Sequence, residues 1–254
     1  MPEMSSIAPT GVVSTLQDNW SDLLDGLRVT LELSVFGGAV AFVVAVLLGL
    51  ASISRFVVLR GVTRVIVEFF RGTSLVVQLF FFAYVTPQLF GWGSHLLLFG
   101  ILALGLNYGA YGSEVVRGSL NAVPPGQWET TTALSMSWFT KVRRVIWPQA
   151  WALMLPGLNN LMVMLVKGTA IAYFIGLLDL TYVSDELRKG GADMWTVYGI
   201  AFVIYYFVAL AFSGFLRVLE RRAQRRLGMT DTRRNLKVDR AVALAPAGGG
   251  GAGV

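Results

Sequence analysis

The apolar residues of this chain are gathered into five long runs, and this constrains the fold more than any other feature. A helix needs about 20 mostly apolar residues to cross the roughly 30 Å hydrocarbon core of a membrane. The runs that meet this requirement are Leu27–Ile53, Val62–Val85, Leu96–Val116, Leu153–Leu178 and Thr196–Leu219. Charged residues make up 14% of the chain, against about a quarter in soluble domains. We therefore predict an all-α integral membrane protein with five transmembrane helices.

The composition also excludes several kinds of site. The chain has no cysteine, which excludes disulfides, iron–sulfur clusters and cysteine-ligated metals. His95 is the only histidine, which excludes a multi-histidine metal site. A net charge of +6 could indicate nucleic-acid binding, but the basic residues gather at the ends of the apolar runs, as membrane insertion favours. We expect membrane lipid, and no nucleic acid, as a partner.

Lysine and arginine are distributed unequally between the two sides of the predicted bundle. The basic connections carry Arg55, Arg60 and Arg64 after the first run, Arg117, Lys141, Arg143 and Arg144 after the third, and Arg217, Arg221, Arg222, Arg225 and Arg226 after the fifth. On the other side, residues 86–95 contain no lysine or arginine. The two basic residues of Thr181–Trp195, Arg188 and Lys189, are offset by acidic residues. Because basic loops stay in the cytoplasm, the C-terminus is predicted inside and the N-terminus outside.

The predicted organisation has three parts. Residues 1–22 form an extracytoplasmic segment, residues 23–228 the transmembrane domain, and residues 229–254 a cytoplasmic tail. The tail is basic and then rich in Ala, Gly and Pro, so we expect it to be disordered. Met1–Thr10 have no basic region before a short apolar core, so we expect the first run to be retained and not cleaved.

Small residues on the first and third runs predict close helix contacts. Lipid gives helices no hydrophobic reason to associate, so they need close packing or polar contacts. The residues suited to close approach are Gly37, Ala41, Ala45 and Gly49 in the first run and Gly105, Gly109 and Gly112 in the third. Packing within the chain is the favoured interpretation, and a seam between two copies is the alternative.

Several polar residues fall within the apolar runs, where each is costly unless it is paired or faces water. They are Asn107 in the third run and Asn159, Asn160 and Lys167 in the fourth. Lys167 is followed by Gly168, which loosens the helix, and Thr169, whose hydroxyl can satisfy a freed carbonyl. An ionisable residue at this depth is a functional candidate. The alternative is a lysine tied to a carboxylate or to backbone carbonyls, without contact to cargo.

The loop of about residues 120–150 is polar and basic, and it predicts local structure of its own. Pro124–Gly126 end the preceding helix. Glu129 is placed in the first turn of a new helix, where a carboxylate suits the positive end of the dipole. Ser137 is placed to cap a second helix, and Pro148 marks the turn toward the membrane. We predict two short helices across the cytoplasmic face with a sharp bend at Ser135–Ser137; the alternative is an amphipathic helix that rests on lipid.

Four separated motifs resemble one protein family. Residues 126–150, which begin Gly-Gln-Trp-Glu and end Val-Ile-Trp-Pro-Gln-Ala, resemble the cytoplasmic EAA loop of ABC importer permeases. Residues 68–81, Glu-Phe-Phe-Arg-Gly-Thr-Ser-Leu-Val-Val-Gln-Leu-Phe-Phe, resemble the second-span signature of the polar amino-acid branch, the histidine/glutamine-type permeases. Residues 108–123 and Lys167–Thr169 resemble the same branch. The resemblance covers about residues 23–228 and implies the type I ABC importer permease architecture.

The resemblance implies that the loop is the coupling element that docks in a groove of a separate ATPase. The residues carried over onto this element by position are Gly126, Glu129, Thr130, Thr131, Ala133, Leu134, Ser135 and Pro148. The chain departs from the family at the alanines replaced by Thr130 and Thr131 and at the usual glycine replaced by Ser135. Serine is less free than glycine to adopt a positive backbone angle, so the departure falls on the bend itself.

The family's role is that of a permease subunit of a binding-protein-dependent ABC importer in a bacterial cytoplasmic membrane. Two copies, or one copy and a homologous permease, would enclose the pathway. An extracytoplasmic solute-binding protein would deliver cargo to the outward loops, including Thr181–Trp195. The chain has no Gly-x-x-x-x-Gly-Lys-Ser/Thr loop, so ATP and magnesium are expected in a pair of ABC ATPase subunits. We expect no cofactor and no catalytic activity in this chain.

The resemblance favours a small polar or zwitterionic cargo, either an amino acid or a compatible solute such as an ectoine. The residues that would line its pathway are Thr73, Ser74, Gln78, Asn107, Asn159, Asn160, Lys167 and Thr169. The family's Lys-Asp-Thr-Ser pattern reads Lys-Gly-Thr-Ala from Lys167 onward, which indicates a cargo or lining unlike that of typical amino-acid importers.

Two other function classes are alternatives. An intramembrane enzyme would need clustered histidine, cysteine or paired carboxylates at membrane depth, and the sequence offers no such cluster. A self-standing channel or secondary carrier would need no ATPase. The odd number of spans, the lack of an obvious inverted repeat and the docking-type loop argue against it.

Overall fold

A computed structural model of the chain describes residues 19–91, 93 and 95–226, and these residues contain helices and turns but no strand. The helices are α1 Trp20–Ser52, α2 Val57–Gly72, α3 Leu75–Phe90, α4 Leu96–Asn121, α5 Pro125–Ala133, α6 Trp138–Ile175, α7 Leu180–Lys189 and α8 Met194–Arg226. A π turn lies within α3 at Phe81–Val85 and another within α6 at Val142–Ile146, and α6 ends in 3₁₀ geometry at Thr169–Ile175. The all-α prediction is confirmed.

The helices α1, α4, α6 and α8 are each long and apolar enough to cross a membrane. The pair α2 and α3 passes the same test only when the two helices are taken together, which gives five candidate spans in the described residues. The predicted number of five is reached when this bent pair is counted as one span. The prediction of a continuous second span is wrong, because α2 and α3 are bent by 101° at the break between them.

The break between α2 and α3 consists of two extended residues. Thr73 has φ −103° and ψ 151°, and Ser74 has φ −68° and ψ 133°. Extended residues cannot continue the helical hydrogen-bond ladder, so the chain changes direction there. The sequence shows one sign of this break, since Glu68 and Arg71 place charge inside the predicted second span.

The helix α6 also differs from its prediction. Ser137 caps it as expected, by accepting a hydrogen bond from the Thr140 N–H at 3.4 Å. However, α6 then continues through the π turn past Pro148 to Ile175, so neither a separate second short helix nor a turn at Pro148 is present. The wider π turn precedes the proline, whose missing N–H would otherwise interrupt the ladder.

The contact between α1 and α4 is built on glycine. A Cβ at Gly105 would lie 2.5 Å from Val40, and a Cβ at Gly109 would lie 2.7 Å from Val44. In the opposite sense, Val116 of α4 occupies the space beside Gly49 of α1. The valines of each helix therefore fill notches left by glycines in the other. The prediction of packing within the chain is confirmed for these residues.

The start of α1 and the start of α7 meet at one end of the bundle. A Cβ at Gly26 would lie 3.0 Å from the Leu180 Cα, and the Leu180 N–H donates to the Thr30 hydroxyl at 3.1 Å. Asp179 caps α7 by accepting from the Tyr182 N–H at 3.0 Å, and it also accepts from the Tyr205 hydroxyl of α8 at 3.1 Å. Burial raises the pKa of the Asp179 carboxyl.

The other end of the bundle, called the basic end below, is defined by Arg60, Arg64 and Arg117, which share one cleft. The predicted boundary at residue 23 falls inside α1, which begins at Trp20. The rest of the predicted N-terminal segment and the predicted tail, residues 229–254, lie outside the described residues.

Replacing Gly109 by Ala should destabilise the protein by about 1–3 kcal/mol, because the new methyl group would overlap Val44. Gly214→Ala in α8 is the matched control, since nothing lies within 4 Å of a Cβ there. Thermal unfolding in detergent should show a lower Tm for Gly109→Ala alone. Equal Tm values for both variants would contradict the role of the glycine notches.

Candidate functional site

The helix α5 presents one exposed face. Its members recur at spacings of three and four residues, which places them on the same side of the helix. They are Gly126, Glu129, Thr130, Ala133 and, just after the helix, Leu134. Leu134 is 69% exposed although it is apolar. This exposed set, called the α5 face below, contains five of the predicted coupling residues.

Three other predicted coupling residues lie off this face. Thr131 is only 2% exposed and points to the rest of the protein, and its hydroxyl donates to the Trp128 carbonyl at 2.8 Å. Pro148 lies in α6, and Ser135 lies in the turn between α5 and α6. Glu129 is the fifth residue of α5, so its predicted place in the first turn is wrong. No hydrogen bond or ion pair involves the Glu129 carboxylate among the described residues.

Polar contacts hold α5 against the start of α6. The Lys141 ammonium donates to the Thr132 hydroxyl at 2.7 Å, and the Gln149 amide donates to the Gln127 amide oxygen at 3.4 Å. Trp128 packs against the buried cluster that contains Ile146. The α5 face is therefore displayed on a supported helix and not on a free loop.

Ser135 makes the bend after α5 possible. Its φ is 52°, and it is the only described residue other than glycine with a positive φ. The Ser135 N–H donates to the Thr132 carbonyl at 2.9 Å, and the Met136 N–H donates to the Thr131 carbonyl at 3.1 Å. This pair of bonds is the Schellman motif, which requires a left-handed residue at the position of Ser135. The serine thus adopts the conformation for which glycine is usually used.

The sequence analysis missed two residues beside the α5 face. Trp138 and Phe139, in the first turn of α6, are 48% and 65% exposed. The Arg143 guanidinium lies over the Phe139 ring, 5.9 Å from its centroid. With Leu134 they form an apolar patch around the bend. The sequence feature that could have identified them is a pair of adjacent aromatic residues directly after the Ser137 cap and outside any predicted span.

Three of the predicted pathway residues meet at the break between α2 and α3. The Gln78 amide donates to the Phe70 carbonyl at 2.9 Å and to the Thr73 hydroxyl at 2.6 Å. The Asn107 amide of α4 donates to the same Phe70 carbonyl at 3.0 Å and to the Gln78 amide oxygen at 3.2 Å. Both amides are buried, whereas Ser74 is exposed. Within this chain, Gln78 and Asn107 therefore satisfy the carbonyls that the broken helix leaves free.

The other predicted pathway residues lie on α6. Asn160, Met164 and Lys167 are exposed and share one face by their spacing. Thr169 is fully buried, and its hydroxyl donates to the Val166 carbonyl at 2.8 Å. The Asn159 amide oxygen is buried without a hydrogen-bond partner in the structure. Among the described residues, no hydrogen bond joins these α6 residues to Thr73, Gln78 or Asn107.

Lys167 has no hydrogen bond or ion pair with any described residue, so the structural tie considered above is not observed there. The residue after it, Gly168, lies against the ring of Tyr108, whose hydroxyl donates to the Met164 carbonyl at 3.0 Å. A side chain at position 168 would meet this ring. Gly168 therefore makes room for Tyr108, which anchors α6 next to Lys167.

Residues 40–225 match the family described as the binding-protein-dependent transport system inner membrane component. The chain belongs to this family. A probable amino-acid ABC transporter permease, y4tF of Sinorhizobium fredii, is 36% identical over 81% of this chain and 90% of its own length. The L-cystine transport system permease TcyB of Bacillus subtilis is 33% identical over 82% and 89%. The crystal structure of an amino acid ABC transporter with histidines shares 31% identity, with a TM-score of 0.73 over 82% of this chain and 97% of that one.

This inner membrane component carries a compact charged cluster on α7. The Asp185 carboxylate accepts from the Tyr173 hydroxyl at 2.8 Å and forms ion pairs with Lys189 at 2.9 Å and Arg188 at 2.8 Å. Lys189, then Arg188 and Tyr173, lower the pKa of Asp185. The described residues contain no group of three or more His, Cys, Asp or Glu side chains suited to hold a metal ion.

Replacing Ser135 by Gly should stabilise the bend by about 1 kcal/mol, because a left-handed residue with a Cβ costs roughly 1–2 kcal/mol. Gly191→Ala is the converse control, since Gly191 has φ 98° in the same kind of helix ending after α7. Hydrogen exchange of the Met136 amide should slow in Ser135→Gly. An unchanged or faster exchange rate would show that Ser135 is not strained.

Proposed function

We propose that this permease subunit imports an amino acid or a similar zwitterionic solute, and that separate ATPase subunits drive it through the α5 face. Family membership supports the transport role. The observation that carries the coupling role is the α5 face itself: a supported helix that presents a carboxylate without a partner and exposed apolar side chains at a fixed bend. Soluble surfaces rarely leave such apolar side chains uncovered without a binding partner.

The coupling role depends on rigidity as well as exposure. A helix that transmits movement must not slide on its own protein, and the contacts from Lys141 and Gln149 fasten α5 to α6. Because α6 continues without a break to Lys167, displacement of α5 is transmitted along one helix toward the candidate pathway. A partner that binds the α5 face differently in two states would shift the balance between them. We therefore place the ATPase groove on the α5 face, with Leu134, Trp138 and Phe139 as its apolar anchors.

The orientation belongs to the same proposal. The basic connections contain α5 and the end of α8, so the positive-inside rule puts both in the cytoplasm. The α7 end, with Asp179 and Asp185, then faces outward, where a solute-binding protein would dock. A second permease, either a copy or a homologue, would complete the pathway on the α6 side.

The cargo is proposed from Lys167 and from the relatives. The exposed stripe Asn160, Met164 and Lys167 is unusual for a lipid-facing surface, because an unpaired lysine is costly in hydrocarbon. A water-filled pathway along this stripe removes that cost and offers the ammonium group to a carboxylate. The reported relatives are described as amino-acid and L-cystine permeases, and all amino acids carry a carboxylate. An ectoine carries one too, so it stays within the same chemical class.

Reversing the charge of Glu129 tests the coupling role. Glu129→Lys should reduce ATP-driven uptake roughly tenfold or more, because like charges brought together at an interface cost several kcal/mol. Membrane insertion should be normal, since Glu129 is exposed and makes no internal contact. The measurements are uptake and ATPase co-purification in proteoliposomes, with Glu129→Asp, which keeps the negative charge at the same position, as the matched control. Full uptake by Glu129→Lys would refute the coupling role.

Removing the charge of Lys167 tests the pathway. Lys167→Met should lower transport roughly tenfold to a hundredfold, because the variant loses one charged hydrogen bond to the cargo. ATPase co-purification should stay unchanged. Lys167→Arg keeps the charge and should retain most of the transport. Equal transport by Lys167→Met and the unaltered protein would remove Lys167 from the pathway and leave the coupling proposal standing.

A further inference from the structure

A cleft of about 350 Å³ lies at the basic end, between α2, the end of α1 and the end of α4. Its walls include Ser52 of α1, Arg60, Arg64 and Glu68 of α2, and Glu114 and Arg117 of α4. None of these residues takes part in the coupling or pathway proposals above. We call this feature the basic cleft.

The charges in the basic cleft do not cancel. Glu114 forms an ion pair with Arg117, and Glu68 forms one with Arg71 at 3.7 Å. Arg60 and Arg64 are left without an acidic partner among the described residues. Arg60 makes one long contact, 3.4 Å, to the Ser54 carbonyl, and Arg64 makes no hydrogen bond or ion pair there. These two guanidinium groups lie one helical turn apart on the same face of α2 and are therefore free to bind one anion together.

The opposite face of α2 is apolar and uncovered. Val58, Val62, Val65 and Phe69 recur at spacings of three and four residues, and Val58 and Val65 are 79% and 70% exposed. The helix is bent by 101° from α3, so it does not continue the direction of the span that follows it. A helix with one charged face, one apolar face and this kind of bend is typical of the membrane interface.

We propose that the basic cleft binds the phosphate group of an anionic phospholipid at the membrane surface, while the acyl chains of neighbouring lipids cover the opposite, apolar face of α2. A phospholipid membrane meets both requirements: an anionic headgroup matches Arg60 and Arg64, and acyl chains match the valines on the opposite face of α2. Arginine binds phosphate through two parallel N–H donors, which suits it to this contact.

A second copy of this chain is the competing occupant, and charge disfavours it. In a two-fold contact through the basic cleft the same patch meets itself, so each copy would bring its own Arg60 and Arg64 toward those of the other. The described part of the patch has no acidic residue free to neutralise them, since Glu68 and Glu114 are already paired. Phospholipid supplies the missing negative charge without this repulsion.

Native mass spectrometry of the full chain in detergent tests the proposal. Dioleoylphosphatidylglycerol should bind in preference to dioleoylphosphatidylcholine, and Arg60→Gln/Arg64→Gln should weaken that binding roughly thirtyfold, since each basic residue near an anionic surface contributes about fivefold. Arg60→Lys/Arg64→Lys keeps the charge and should bind within about fivefold of the unaltered chain. Arg222→Gln/Arg225→Gln is the control with the same loss of charge at exposed positions of α8.

Three outcomes would overturn the proposal. One is an equal loss of phosphatidylglycerol binding in Arg222→Gln/Arg225→Gln and in Arg60→Gln/Arg64→Gln. Another is displacement of the lipid by millimolar inorganic phosphate, which would indicate a site for the free anion. The third is efficient disulfide cross-linking between copies of Val62→Cys in membranes, which would assign the apolar face of α2 to a second copy. The chain has no cysteine of its own, so any cross-link would come from this position. We expect no such cross-link. These readouts do not involve uptake, so they stand or fall apart from the proposed function.

Discussion

The backbone of a membrane protein must satisfy its own hydrogen bonds, because lipid offers no donors or acceptors to replace them. This constraint applies at the break at Thr73–Ser74, since it frees carbonyls in the last turn of α2. Gln78, Asn107 and the Tyr111 hydroxyl donate to the Phe70 and Arg71 carbonyls. These hydrogen bonds keep α2 bent away from α3 and attached to α4, and thereby shape the basic cleft.

The same constraint explains why α6 is the other organising element. The helix passes Pro148 through a π turn and ends in 3₁₀ geometry closed by Gly176, which has a φ of 80°. It therefore runs continuously from the bend after α5 to the level of Lys167. The helix α6 therefore connects the α5 face at one end with the unpaired Lys167 ammonium at the other. This arrangement provides a physical connection between the proposed ATPase-binding surface on α5 and the proposed pathway at Lys167.

The sequence predicted the parts of the fold that depend on length and composition. Composition and spacing indicated the five apolar runs and the small residues of α1 and α4. The residue type indicated the Ser137 cap, and the family resemblance indicated the coupling residues of the α5 face. The sequence did not predict the bend at Thr73 or the continuity of α6 past Pro148. Both depend on whether a neighbouring side chain satisfies a freed backbone group, and Asn107 lies 37 residues from the Phe70 carbonyl it bonds. The sequence likewise did not distinguish Thr131 from Thr130, whereas in the structure Thr131 is buried and Thr130 is exposed.

The sequence by itself determined which side chains are available: a hydrophobic chain with no cysteine, one histidine, basic connections between the apolar runs and one lysine within the fourth run. Hydrophobic period and charge asymmetry are local properties, so they can be read along the chain. Only the tertiary structure decided which polar groups are engaged and which are free. Gln78 and Asn107 are used to close the helix break, whereas Arg64, Glu129 and Lys167 have no partner among the described residues. That distinction depends on distances between separate helices, which no pattern along one helix contains.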